Sequence, residues 1–142
     1  MMRVLIDSDV YLDYVLQRAP FRDEANQIFD LIGEDRVEAF VCALTPATVF
    51  YFTRKEKGID GAYLAIDDLL LTSQICKVDA STISTAARLD FSDYEDAIQC
   101  ASAVGENLDA IVTRNLKDYK KSPIPVYSPA EFLEVLQNDS AG

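Results

Sequence analysis

Short apolar runs alternate with amphipathic stretches along the whole chain. Residues 3–6 carry Val4, Leu5 and Ile6 and stop at Asp7, the pattern of a buried strand. Residues 9–16 then turn helical. Pro20 opens the next helix, with Asp23 and Glu24 in its first turn, where they complement the helix dipole. Ala25, Ile28, Phe29 and Ile32 give that helix an apolar stripe, and Gly33 stops it. Residues 37–44 read as a second strand. Thr45 and Pro46 have the chemistry of an N-cap and a first helical position. Their helix runs to about Lys57, Gly58 ends it, and another covers 59–72. Residues 75–78 form a short strand, and Asp79 begins a helix that reaches Leu89. Ser92-Asp93-Tyr94-Glu95 has capping-box spacing, which predicts a helix from Asp93 to about Val104. Strands follow at 110–113 and 125–127. Ser128-Pro129-Ala130-Glu131, a second capping box, opens a last helix to about Leu136. Strands that alternate with helices in this way predict an α/β fold, a parallel sheet covered on both faces. One domain over 1–137 is expected, with a frayed, flexible tail at 138–142.

Composition narrows the chemistry. The 142 residues include 13 Lys plus Arg, 24 Asp plus Glu and no His, a net charge of −11. Without His there is no His-based triad, no His general base and no His-ligated zinc. The acidic balance disfavours holding nucleic acid by bulk charge alone. Cys42, Cys76 and Cys100 are odd in number and far apart, which fits a reducing compartment and a cytoplasmic protein. The longest apolar stretch, residues 69–71, is far below the roughly 20 residues of a membrane helix, so no membrane is expected.

The acids fall where an open parallel sheet binds ligands, beyond the carboxyl ends of its strands. Asp7 follows the first strand and Asp9 lies two residues on. Asn115 and Asp118 follow the strand at 110–113. Asp93 and Asp96 open the helix before it, and Asp93, Asp96, Cys100 and Ala103 share one face by their spacing. Capping explains Glu95 and competes for Asp93 and for either Asp7 or Asp9; Asp96, one turn in, is harder to explain that way. Carboxylates brought together repel by roughly 4 kcal/mol at 4 Å and an effective dielectric near 20. Such a cluster persists if one acid stays protonated or a cation bridges them. Oxygen-only ligands suit Mg²⁺ or Mn²⁺. The basic residues gather in two groups, Arg54, Lys55 and Lys57, and Arg114, Lys117, Lys120 and Lys121. Arg114 and Lys117 flank the acids as a rim guiding an RNA phosphate would, or as part of a solvated loop. Tyr51, Tyr94 and Tyr119 could stack on bases, or pack.

Two segments, LIDSDVYLDYVL and FSDYEDAIQCASAVGENLDAIVTRNLKDY, resemble the opening and closing motifs of PIN-domain proteins. The order of elements between them also matches. The resemblance implies an α/β/α three-layer sandwich over 1–137. It also implies a Mg²⁺- or Mn²⁺-dependent ribonuclease, as in the VapC-type toxins of toxin–antitoxin pairs. Asp7 matches the family's first metal-binding Asp, and Asp96 the Asp that precedes Ala in its penultimate acidic motif. Asp9 stands where many members have Asn, and Asn115 where many have the last Asp, with Asp118 near enough to serve instead. The set implied is Asp7, Asp96, Asp93 and Asn115 for catalysis and Asp7, Asp96 and Asp118 for metal. The resemblance further implies an RNA substrate, an antitoxin protein and a homodimer, which the apolar helix with Phe132, Leu133, Val135 and Leu136 could help to form.

The sequence departs from the family at one place. Members usually carry a Glu about one turn into the helix that begins at Thr45, and Thr48 stands nearest that position. A PIN fold that binds RNA or protein without cutting is therefore the alternative. A third reading rests on Asp7-Ser8-Asp9, which looks like the D-x-D opening of haloacid-dehalogenase-type phosphatases, although no acidic pair follows Thr113. A receiver-like domain with Asp79 as acceptor would need a Lys where Thr113 stands.

Overall fold

The structure, a computed structural model, describes residues 1–141. Among them, five strands form one sheet: β1 (Met2–Ile6), β2 (Val37–Cys42), β3 (Gln74–Cys76), β4 (Ala110–Val112) and β5 (Val126–Tyr127). The order across the sheet is β3-β2-β1-β4-β5, and all four pairings are parallel. Period-two alternation divides β1 between two cores. Val4 and Ile6 face one side, where α1 (Ser8–Val15), α2 (Arg22–Gly33), α3 (Thr45–Thr72) and α6 (Pro129–Ala141) pack. Leu5 faces the other, against α4 (Ala80–Ala87) and α5 (Tyr94–Gly105). This is the three-layer α/β/α sandwich expected. The helical stripe of α2 is buried as its spacing requires, and Phe29 stacks on Tyr14 at 4.0 Å and meets Tyr11 edge-on at 5.1 Å. Contacts of this kind contribute about 0.5–1.5 kcal/mol each beyond area burial.

Several boundaries differ from the sequence pattern for local reasons. The helix expected at Pro20 begins at Arg22, because residues 19–21 form a turn closed by Arg18 O. Thr45 does not cap α3; it is buried, and its hydroxyl pairs with Ser8 Oγ at 2.9 Å. The two helices expected on either side of Gly58 run on as one element, kinked where Gly58 takes φ 76° and ψ 178°. Only glycine adopts that backbone without strain, so the break lies where the sequence placed it. Asp93, not Ser92, caps α5, accepting from Asp96 N at 3.1 Å. Ser128 and Glu131 form their box as expected, at 2.9 and 3.1 Å. The last helix continues past Leu136 to Ala141, so the residues read as a frayed tail extend it; Gly142 lies outside the described residues. Phe132 and Leu136 are buried against the sheet, which removes them from any dimer surface.

After β3 the chain crosses back past β2 and β1 to add β4 on the far side of β1. The switch point therefore lies between the carboxyl ends of β1 and β4, where Asp7 and Thr113 stand.

Candidate active site

Asp7 leaves β1 with its amide bonded to Val112 O at 3.0 Å and its carboxylate capping α1 through Asp9 N at 3.3 Å. The capping role is real, yet it does not exhaust the side chain. Asp7 is 2% exposed, and its carboxylate also accepts from Thr113 Oγ1 at 2.5 Å and from Gln99 Nε2 at 3.3 Å. Gln99 in turn accepts from Ser8 N at 3.3 Å. Strands β1 and β4 and helix α5 thus fix this carboxylate from three directions.

Asp96 lies on the buried face of α5 and is 7% exposed. Its Oδ1 accepts from the Tyr119 hydroxyl at 3.4 Å. Burial, then the charges of Asp7, Asp93 and Asp118, push its carboxyl up to about 7, against the lowering effect of Tyr119. Asp7 is also pushed up, by burial first and by Asp9, against Thr113 and Gln99. Two carboxyls from different elements are thus both raised, chiefly by burial, and the charge of Asp7 adds to the shift of Asp96. The Tyr119 phenol is raised too, by burial first and then by Asp7 and Asp96, and stays neutral.

The remaining candidates divide. Asp118, half-buried on the 3₁₀ turn Leu116–Tyr119, lies close enough to raise Asp96. Asp93 is exposed and serves as the α5 cap, although its charge also reaches Asp96. Asn115 gives its side-chain N–H to Asp9 Oδ2 at 3.2 Å. Lys117 is exposed; with Lys120, Lys121 and Asp118 it lines a depression of about 220 Å³, and Lys121 pairs with Asp90. Arg114 is not an open phosphate guide. It grips the buried Asp13 through Nε at 2.7 Å and Nη2 at 3.3 Å and lies 3.8 Å over the Phe21 ring. Thr48 points its hydroxyl back to Leu44 O at 3.4 Å. Among the described residues no group of three or more acids is placed to hold a metal ion, so the expected set of Asp7, Asp96 and Asp118 does not come together as one.

Sequence reasoning missed Gln99, Thr113, Tyr119 as a buried donor, and Asp13. Gln99 had a signal, since it follows Asp96 by one helical turn. Thr113 and Tyr119 had none, because their partners are 106 and 23 residues away.

The model of the PIN domain matches residues 3–117. The chain belongs to the PIN-domain family. No curated protein matches the chain by sequence. Solved PIN-fold structures resemble it over most of its length. VapBC2 from Rickettsia felis, bound to a DNA fragment from its promoter, has a TM-score of 0.69 at 16% identity, covering 89% of this chain and 98% of that one. A toxin–antitoxin complex from Klebsiella pneumoniae gives 0.67 at 22% identity, covering 89% and 97%. VapC20 from Mycobacterium tuberculosis, a sarcin–ricin-loop-cleaving toxin, gives 0.62 at 12% identity, covering 76% and 86%. At these identities the likeness establishes the PIN fold. No described helix is long and apolar enough to cross a membrane.

Proposed function

We propose that this PIN domain is a Mg²⁺- or Mn²⁺-dependent endoribonuclease, the toxin of a toxin–antitoxin pair. The observation that carries the reading is the buried pair Asp7–Asp96 at the switch point, each carboxyl raised toward protonation. A divalent cation relieves that repulsion, and an all-oxygen donor set fits a hard ion that keeps several of its own waters. Asp7 and Asp96 would hold it, and the charge of Asp118 reaches Asp96. When bound, the ion supplies charge neutralisation at a phosphodiester and a more acidic water. The chain's own residues do the rest. Thr113 and Gln99 orient Asp7, and neutral Tyr119 orients Asp96. Asp93 caps the helix that carries Asp96 and adds to the negative field. Asn115, pinned to Asp9, lines the loop beside them, and Lys117 meets substrate phosphates as a mobile charge.

The toxin role and the antitoxin partner draw support from the toxin–antitoxin complexes that share the fold. Exposed Tyr51, Phe52, Ile59, Tyr63 and Leu64 on α3 support a contact with protein, including the homodimer. A cytoplasmic location agrees with three free, buried cysteines. The second reading, a PIN fold that binds without cutting, draws on Thr48 and on the lack of a third close carboxylate among the described residues. Cleavage of a mixed-sequence single-stranded RNA decides between them. Wild type should cut with Mn²⁺ and not with EDTA, and Asp7→Asn should lose at least about 100-fold, more than loss of a supporting group costs. RNA binding with no metal-dependent cleavage would favour the second reading.

A further inference from the structure

Three successive residues after β4 are each tied to a different acid of the β1–α1 segment. Thr113 donates to Asp7 at 2.5 Å, Arg114 grips Asp13 at 2.7 and 3.3 Å, and Asn115 donates to Asp9 at 3.2 Å. The outer two ties involve Asp7 itself and Asp9 beside it. The middle one is different. Asp13 is 1% exposed, one turn beyond Asp9 on α1, and its second partner is Arg18, whose Nε donates to Oδ1 at 2.9 Å. Arg18 also reaches back to Asp9 O at 3.2 Å, and the Arg114 guanidinium lies over the Phe21 ring. Asp13 therefore joins α1, the turn before α2 and the loop after β4 at one buried point. Its two oxygens receive three N–H donors in fixed directions, a geometry that the planar guanidinium fork supplies and an ammonium does not.

We propose that Asp13 is a positioning residue: through Arg114 it sets where the 113–118 loop, with Thr113, Asn115 and Asp118, stands against Asp7 and Asp96. Arg114 acts by its fork and not as a phosphate ligand. The inference rests on the metal-site reading above for its consequence, but the holding of the loop is independent of it.

Arg114→Lys is the decisive variant, because it keeps the charge and removes the fork. Asp13→Asn is the companion; where it fails to fold, Arg114→Lys still answers. Hydrogen exchange of residues 113–118 in EDTA reads the hold directly and should quicken by about tenfold or more. Mn²⁺ affinity, by titration calorimetry, should weaken about 10-fold, the size typical of losing a group that orients a ligand. Affinity for single-stranded RNA in EDTA, and its slope against salt, should match wild type. Unchanged exchange overturns the proposal. So does quickened exchange with wild-type Mn²⁺ affinity, which would make the cluster structural only. In Arg114→Gln, which removes the charge as well, a salt slope smaller by about one unit would make Arg114 a phosphate contact and overturn it too. If wild type binds no Mn²⁺ while exchange quickens, the hold stands and the metal reading falls.

Discussion

Asp96→Asn should stabilise the metal-free protein, and only at high enough pH. The Asp96 carboxyl titrates near 7 in the fold and near its ordinary value of 3.8 in the unfolded chain. The folded state therefore binds the proton more tightly, and stability falls as pH rises from about 4 to about 7. The gap of about 3 units, at about 1.36 kcal/mol each, makes the full penalty on the order of 4 kcal/mol at pH 8. At pH 5 only about 1.5 kcal/mol of it is present by the same conversion. Asn keeps the shape of the side chain and an oxygen for Tyr119, so the substitution removes the charge and little else. The assay is thermal unfolding of wild type and variant in EDTA at pH 5 and pH 8. At roughly 3 °C per kcal/mol for a domain of this size, the advantage of the variant should grow by roughly 8 °C between the two. Mn²⁺ at pH 8 should close most of that gap, because ligand at 100 times its dissociation constant adds about 2.7 kcal/mol to wild type alone. A pH-independent difference, or a destabilised variant at pH 8, would refute the claim that Asp96 is a buried and repelled charge.

Thr48→Glu should tighten Mn²⁺ binding about 10-fold, since added ligand charge tunes such sites; calorimetry reads it, and unchanged affinity would mean that α3 does not present that position to Asp7 and Asp96. Tyr119→Phe should move the Asp96 midpoint upward, because it removes the hydroxyl that favours the ionised form; NMR titration of the carboxyl checks it. Gly58→Ala should cost about 1–3 kcal/mol through backbone strain alone, as no atom lies within 4 Å of the new Cβ; urea unfolding measures it.

The architecture was legible along the chain, and so was the placing of Asp7 and Asp96 at the ends of elements. Strand runs, capping residues and Gly58 act over a few residues, so β1, α2, the α3 kink and the Ser128–Glu131 box are legible from local chemistry. Asp7 and Asp96 were legible for the same reason: each sits at a predictable end of an element, and Asp96 lies on a face otherwise made of small residues. What each side chain faces depended on packing across the sheet. Arg114 and Lys117 look alike along the chain, yet one closes on an acid 101 residues away and the other stays in solvent. Thr45 reads as a cap and instead bonds across to Ser8. Tyr119 reads equally as a base-stacking or a packing aromatic, and it is buried against Asp96. Such outcomes depend on which strand neighbours which, and the β3-β2-β1-β4-β5 order that brings residues 7, 13, 96 and 113 together is a property of the folded sheet, not of any window of sequence.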